Sequence, residues 1–187
     1  MLSDHFPTVV RDRETGLRPG PGAPDAAIIV EGLRKDFTHH GQTIPAVDGV
    51  SFAVPRRQLV AITGPSGCGK STLLYLLGSL EKPTAGRVLV DGVDVGALRG
   101  RQENAFRRYK VGFVFQAFHL VPNLTALENV MLPMEFTGLA APARRERARE
   151  LLALVGIEPD RQSHRPGKLS GGQQQRVAIA RALANDP

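Results

Sequence analysis

The most constraining feature of the sequence is a glycine-rich segment, GPSGCGKST, over Gly64–Thr72. It follows the apolar run Leu59–Thr63, which predicts a buried strand, and it leads into a helical pattern over Lys70–Leu80. A G-x-x-x-x-G-K-[ST] loop between a strand and a helix binds anions. Its glycines let consecutive N–H groups turn toward one ligand, and the helix adds the positive end of its dipole. A chance match is the alternative. In this context the segment predicts an α/β fold with a phosphate-binding loop.

Side chains of this loop predict contacts to a nucleoside triphosphate and its metal ion. Lys70 can reach the β- and γ-phosphates, the Ser71 hydroxyl can ligate Mg²⁺, and Thr72 lies toward the α-phosphate. Cys68 occupies a variable position of the pattern, which favours a spacer role over a catalytic one. The predicted nucleotide contacts are Gly64, Pro65, Ser66, Gly67, Cys68, Gly69, Lys70, Ser71 and Thr72.

The composition is typical of a globular protein. A length of 187 residues suits one domain, and 42% hydrophobic with 22% charged residues is ordinary. The most apolar runs, Leu73–Leu80 and Val111–Phe115, are far shorter than the roughly 20 residues that a transmembrane helix needs. The start of the chain lacks the pattern of a secretory signal, so we expect a cytoplasmic protein.

Charge and cysteine content exclude few of the possible binding partners. Cys68 is the single cysteine, which excludes an internal disulfide and a zinc site built from several cysteines. The formal net charge of +6 is compatible with nucleic acid, anionic lipid or nucleotide. The arginine-rich segments Arg99–Arg108 and Arg144–Arg149 also contain glutamates, as solvated helix faces often do. We therefore expect no nucleic-acid partner.

The order of elements indicates one α/β domain behind a short tail. Prolines, glycines and charges over residues 1–25 predict a flexible tail. From Ala27 onward, short apolar runs alternate with helical patterns. The predicted strands are Ile28–Val30, Val50–Val54, Leu59–Thr63, Gly86–Val90 and Val111–Phe115. The predicted helices are Lys70–Leu80, Leu98–Tyr109, Glu128–Phe136, Ala143–Val155 and Gly172–Ala184. The last three predict a helical subdomain inserted after the second buried strand.

A second motif, LSGGQQQR, spans Leu169–Arg176 and runs into a helical pattern. Taken alone, Ser170 and the two glycines after it could simply cap a helix. Together with the loop over 64–72, the motif resembles the nucleotide-binding domains of ABC ATPases. In that family the two segments are the signature motif and the Walker A loop. The resemblance covers about Ile28–Pro187.

This resemblance implies a P-loop NTPase fold of the ABC type that binds ATP and Mg²⁺. Such a fold has a mostly parallel core sheet, a flanking antiparallel β-subdomain and a helical subdomain, here over about 117–180. It also implies that two domains face each other head to tail, with the signature loop of one closing on the γ-phosphate held by the other. The implied contacts in trans are Ser170, Gly171, Gly172 and Gln173. Their hydroxyl, bare N–H groups and helix start suit an anion.

Two further positions match the family pattern. Phe37 stands where the family has an aromatic residue stacked on adenine, and an ordinary core phenylalanine is the alternative. Gln116 follows the apolar run 111–115 and resembles the Q-loop glutamine, which contacts Mg²⁺ or the attacking water; with Lys70 it is the catalytic candidate. A solvent-facing glutamine is the alternative. The stretch Val111–Pro133 resembles the subgroup that includes lipoprotein-release and macrolide-export systems. Pro122, Leu124, Asn129 and Pro133 carry this likeness.

The sequence departs from the family after the signature helix. The family continues with a strand that ends in an Asp orienting the Mg²⁺ shell, a Glu that activates water and later a His, whereas this sequence ends at Pro187. Phosphoryl transfer depends on positioning and charge stabilisation, so we expect ATP binding without efficient hydrolysis by this chain. The missing strand predicts unpaired sheet edges, so we expect a fragment of a longer protein. A native protein with the intact mass of this chain would contradict that.

The leading hypothesis is the ATP-binding subunit of an ABC transporter. It would form a homodimer, act on a transmembrane permease and lie at the inner face of the cell membrane. One alternative is a non-transport ABC ATPase, which usually shows coiled-coil insertions, zinc cysteines or a second cassette. Another is a regulatory module that binds nucleotide without hydrolysing it.

Overall fold

The structure is a computed structural model and describes residues 26–187, so the tail predicted over 1–25 lies outside the described residues. The chain forms two compact units, one through Glu103 and the other over Asn104–Pro187. Among the helices of residues 26–187, none is both long and apolar enough to cross a membrane.

The first unit is built on a four-stranded antiparallel sheet. Its strands are β1 (Ala26–His39), β2 (Gln42–Pro55), β3 (Ala85–Val90) and β4 (Val93–Asp94), in the order β2-β1-β3-β4. All three neighbouring pairs are antiparallel. Helix α1 (Lys70–Leu77) contacts β2 and β3 and buries Leu73 and Leu76. The sheet and this helix position the glycine-rich loop that ends at α1.

Two tight turns set the register of this sheet. β1 and β2 pair up to His39 and Gln42, and the two residues between them, His40 and Gly41, have φ of 48° and 79°. Asp91-Gly92 connects β3 to β4 in the same way, with φ of 49° and 76°. Positive φ at both central residues gives a turn whose twist matches that of the flanking strands. Local sequence therefore specifies both hairpins.

The second unit is helical. Helix α2 (Gly100–Tyr109) spans the boundary between the units, and α3 (Ala126–Met131), α4 (Ala141–Leu154) and α5 (Gly171–Ala182) follow. Short 3₁₀ helices lie at Leu132–Phe136 and Pro166–Lys168. α3, α4 and α5 contact one another around one apolar core. This core comprises Ala126, Val130, Met134, Ala148, Leu151, Leu152, Ile157, Leu169, Val177, Ala180 and Ala184.

Most predicted elements are confirmed, with changed bounds. α1 ends at Leu77 instead of Leu80, because Gly78 caps it and Ser79 has φ of 55°. The helix predicted over Glu128–Phe136 is α3 followed by a 3₁₀ turn that contains Pro133, whose ring removes a backbone donor. The helices predicted between 117 and 180 lie in the second unit.

The structure contradicts the prediction of two buried strands. Leu59–Thr63 and Val111–Phe115 are not strands; within the first segment only Ala61 makes an isolated bridge, and Leu59 is 79% exposed. A strand requires a neighbour that supplies a ladder of hydrogen bonds, and the described sheet consists of β1–β4 alone. The sheet over residues 26–187 is accordingly antiparallel, and the mostly parallel core sheet predicted from the resemblance is not formed there.

Candidate functional site

The glycine-rich loop has the backbone that the sequence predicted. Gly64, Gly67 and Gly69 have φ of 153°, 79° and 90°. A Cβ atom at Gly69 would lie 2.0 Å from the carbonyl oxygen of Ala46, and one at Gly64 would lie 2.8 Å from the Cys68 sulfur. Glycine is therefore required at Gly69 both for its dihedral angle and for a close backbone approach.

The start of α1 supplies free donors at the end of this loop. α1 begins at Lys70, and its capping residue is Gly69, which has no side chain to cap the first turn. The first N–H groups of a helix lack intrahelical partners and carry partial positive charge. The first turn contains no acidic residue that would compete for these groups. This end of α1 is suited to an external anion.

Lys70 is the only residue of this loop with a cationic side chain, and its ammonium group contacts the loop backbone. Its Nζ donates to the carbonyl oxygens of Gly64 and Pro65, at 3.0 and 2.7 Å. It also lies 3.7 Å from the Cys68 sulfur. An ammonium group has three donors, and these three contacts hold it beside the loop, so an anion that accepts from Lys70 replaces one of them. The Cys68 thiol is free and exposed, and its role as a spacer stays a prediction.

A divalent cation at this loop would bind through oxygen atoms. Ser71, in the first turn of α1, is exposed and carries a hydroxyl. Within residues 26–187, no group of three or more His, Cys, Asp or Glu side chains is arranged to hold a metal ion. Mg²⁺ commonly takes one or two protein oxygens together with phosphate oxygens and water. The donor set around Ser71 therefore fits Mg²⁺ that arrives with a phosphate ligand.

Phe37 presents an aromatic surface on β1. The residue is 41% exposed and lies opposite Ile44 of β2 in the strand register, so it is not an ordinary core residue. The Lys35 ammonium lies 4.8 Å from the ring centroid. Lys35 itself is held by Glu81 at 2.8 Å and by the carbonyl oxygen of Lys82 at 2.9 Å. A stacking role for Phe37 stays a prediction, and its exposure permits it.

The signature segment begins α5 in the second unit. Ser170 is the N-cap, with Oγ accepting from the Gln173 N–H at 3.2 Å, while the Gln173 side chain accepts from the Ser170 N–H at 2.9 Å. The capping alternative is thus what the structure shows for these two residues. The Ser170 hydroxyl hydrogen remains able to donate, and no atom lies within 4 Å of a Cβ built on Gly171 or Gly172. Capping and anion binding are compatible here.

Gln116 lies in a turn, also in the second unit. The Phe118 N–H donates to the Phe115 carbonyl oxygen at 3.0 Å, which closes the turn, and Gln116 is exposed within it. The Phe115 and His119 rings stack at 4.7 Å. Phe118 and His119 both have positive φ, 60° and 46°, which is uncommon for residues with side chains. Gln116 thus lies within a turn instead of ending a strand.

Polar side chains that hold these segments were missed by the sequence analysis. Gln174 donates to the carbonyl oxygens of Pro166 and Leu169, both at 3.1 Å, and Arg176 donates to that of Gly156 at 3.1 Å. Arg181 donates to the carbonyl oxygens of Phe118 and His119. Burial lowers the pKa of the Arg181 guanidinium. The only signal in the sequence that could have indicated these contacts is the presence of polar residues within the apolar helical pattern of α5.

The structure gives a role to Asn129, one of the residues that carry the subgroup likeness; its side chain is fully buried. Its Oδ1 accepts from the Val121 N–H at 2.8 Å. Its Nδ2 donates to the carbonyl oxygens of Val121, Leu124 and Thr125, at 3.2, 3.2 and 2.9 Å. The loop before α3 is therefore fixed by one side chain.

The predicted site residues fall into two groups. Phe37 and the loop over 64–72 belong to the first unit, and Gln116 and the signature segment 170–173 belong to the second.

Comparisons with known proteins agree with these features. The family model described as "ABC transporter" matches residues 47–187. An uncharacterized ABC transporter ATP-binding protein of Thermotoga maritima is 58% identical over 144 residues, which cover 77% of this chain and 61% of that protein. The lipoprotein-releasing system ATP-binding protein LolD 1 of Rhodospirillum rubrum is 45% identical over 164 residues, which cover 88% of this chain and 72% of that protein.

Solved structures give the same result. The dimeric structure of MJ0796, described as a bacterial ABC transporter cassette, matches with a TM-score of 0.81 at 45% identity, covering 86% of this chain and 70% of that one. The chain spans 61% of the Thermotoga protein and 48% of two similar proteins of Mycobacterium tuberculosis. The match to the family model over 47–187 and the identity to these relatives show that the chain belongs to the ABC transporter family.

Proposed function

We propose that this chain is the nucleotide-binding part of an ABC transporter subunit, which couples ATP binding and hydrolysis to movement of a membrane permease. The observation that carries the proposal is the loop over Gly64–Thr72. Its glycines with positive φ, the uncapped start of α1 and the Lys70 ammonium lie together in this loop. Together they form a cradle for a polyphosphate.

The proposal assigns separate roles to residues of the loop and to two residues outside it. Lys70 exchanges its contacts with the Gly64 and Pro65 carbonyl oxygens for phosphate oxygens. Ser71 supplies a hydroxyl to Mg²⁺, which screens phosphate charge when bound. Phe37 offers its exposed ring to the adenine base, and the first N–H groups of α1 take a phosphate. Gln116 is the candidate for contact with Mg²⁺ or the attacking water.

The proposal includes a second copy of the cassette. Ser170, Gly171 and Gly172 form a helix start with bare N–H groups, which suits the γ-phosphate of an ATP held by the partner. Similarity to MJ0796, whose cassette is described as dimeric and, in one structure, as bound to ADP and Pi, supports a homodimer, and the head-to-tail arrangement is part of the proposal. Hydrolysis would occur at that interface, with Gln116 and Lys70 on the chain that holds the ATP.

Membrane action is the remaining part of the proposal. The similar MacB protein of Chromobacterium violaceum, 47% identical over 160 residues, carries the description "ATP-binding/permease", and the chain covers 25% of it. Together with the LolD likeness, this favours a transporter over the non-transport and regulatory alternatives. The subunit would lie at the cytoplasmic face of the membrane and reach it through its permease.

The test is Mg²⁺-ATP binding by the purified chain, measured by calorimetry beside two single lysine variants. Lys70→Ala removes the ammonium that the phosphates share, so we expect at least a roughly tenfold weaker affinity. Lys110→Ala removes an exposed lysine just beyond α2 and serves as the matched control, with unchanged affinity expected. Equal affinity of the Lys70→Ala variant and the unaltered chain would refute the cradle. ATP turnover is recorded in parallel, and we expect it to be weak.

A further inference from the structure

The turn that carries Gln116 is held by one side chain from the signature helix. Arg181 lies in the last turn of α5, and its two terminal nitrogens donate to the carbonyl oxygens of His119 and Phe118, both at 2.6 Å. Both acceptors lie two or three residues after Gln116. A guanidinium is planar and rigid, so two bonds fix the direction of both carbonyl groups.

These carbonyl groups belong to residues in an unfavourable conformation. Phe118 and His119 have φ of 60° and 46°, and neither is a glycine. Left-handed backbone at residues with side chains persists only where surrounding contacts hold it. The turn's own bonds, from Phe118 to Phe115 and from His119 to Ala117, are local and do not tie it to the helical core. Arg181 provides that tie.

Arg181 is well placed to act as a fixed point. The residue is half-buried, and burial lowers the pKa of its guanidinium, which nonetheless stays protonated at neutral pH. Removing the guanidinium would leave two carbonyl oxygens without these charged donors. Asn129 fixes the next segment, 121–125, in the same unit. Gln116 therefore precedes a segment that is anchored at two successive places.

We propose that Arg181 is a positioning residue that couples the signature helix to the Gln116 turn, so that the two segments respond to nucleotide together. This inference rests on the proposed function and deepens it. A ligand that contacts the start of α5 would be sensed at Gln116 through the helix and the Arg181 bonds. Conversely, a change at Gln116 would bias the orientation of the signature helix.

The experiment uses the native gene product and compares Arg181→Met, Arg181→Lys and Arg176→Met. Amide hydrogen exchange is read at Phe118 and His119, whose N–H groups close the turn. Methionine keeps a long apolar stem but no donors, so exchange at both amides should rise about tenfold, because two charged hydrogen bonds are lost. Lysine can serve one carbonyl group and should give an intermediate rate. Arg176→Met removes a bond of the same helix to Gly156 and should leave exchange at 118 and 119 unchanged.

Nucleotide assays separate positioning from general stability. Arg181→Met should leave the Kd for Mg²⁺-ATP within about twofold, since the loop over 64–72 is intact, while kcat, already low in the unaltered protein, falls about tenfold or more. Unchanged exchange at 118 and 119, an equal rise in the Arg176→Met variant, or an unchanged kcat would overturn the inference. Failure of the unaltered protein to bind Mg²⁺-ATP would refute the proposed function instead, and the exchange rates would still report whether Arg181 holds the turn.

Discussion

Replacing Gly69 by alanine should destabilise the first unit more than any other single methyl addition in the phosphate-binding loop. Two costs combine at this position. A residue with a side chain at φ of +90° pays about 1–3 kcal/mol of backbone strain. The new methyl group would also lie 2.0 Å from the Ala46 carbonyl oxygen, which is backbone and cannot rotate away. We expect a loss of about 3 kcal/mol or more in the free energy of unfolding.

Gly67 provides the matched control for the backbone term. It has φ of 79°, and no atom lies within 4 Å of a Cβ built there. Gly67→Ala therefore introduces the backbone strain without the collision and should lower the free energy of unfolding by about 1–2 kcal/mol. Gly171→Ala, at the first position of α5, has open space and no positive φ, so its effect should stay within about 0.5 kcal/mol. The three variants separate the collision from the strain.

The assay is urea unfolding followed by far-UV circular dichroism, because the sequence contains no tryptophan. The midpoint of each variant is compared at equal m-value. The reasoning is refuted if Gly69→Ala and Gly67→Ala unfold at the same urea concentration, since the approach to Ala46 would then contribute nothing.

Two further predictions concern the loop before α3. Asn129→Ala should lower the free energy of unfolding by about 2 kcal/mol, since the Val121 N–H loses its acceptor and three carbonyl oxygens of the loop lose a side-chain donor, whereas Asn104→Ala, at an exposed site, should cost less than about 0.5 kcal/mol in the same urea assay. Hydrogen bonds from the Thr125 backbone and hydroxyl groups lower the pKa of the Glu128 carboxyl below 4.5. A lowered folded-state pKa stabilises the fold above the unfolded value and loses that contribution as pH falls through the folded one. Stability of the unaltered chain should therefore fall below about pH 4.5 more steeply than that of Glu128→Gln, and parallel pH curves would contradict the assignment.

Local signals in the sequence predicted much of the fold. Short apolar runs predicted β3 and parts of β1 and β2, and helical spacing predicted α1 to α5, because helical periodicity follows from backbone geometry alone. The bounds were less accurate. Gly78 and Pro133 shifted two helix ends through backbone effects that depend on their exact setting. The apolar segments 59–63 and 111–115 read as strands, yet strand formation depends on a partner elsewhere in the chain.

For the candidate site, too, local sequence indicated the segments, and the structure supplied their contacts. The glycines over 64–69 were identified from spacing, and the structure supplied their physical reason in the approach of Gly69 to Ala46. Ser170 was recognised both as a cap and as an anion contact, and the structure shows the cap. Phe37 gained support only from its exposure, which no pattern in one segment specifies. The site residues stay predictions from the sequence, and the structure adds the surroundings that no single segment specifies.

The sequence by itself determined the glycine-rich loop, the signature helix and the family. These depend on short segments whose residue types and spacing dictate local backbone conformation. Only the tertiary structure decided which distant groups each side chain meets. Arg181 meets carbonyl groups 62 and 63 residues away, and Asn129 closes a loop that no pattern marks. Such contacts arise when elements pack, because buried polar groups then pair with whichever partners the fold brings within reach.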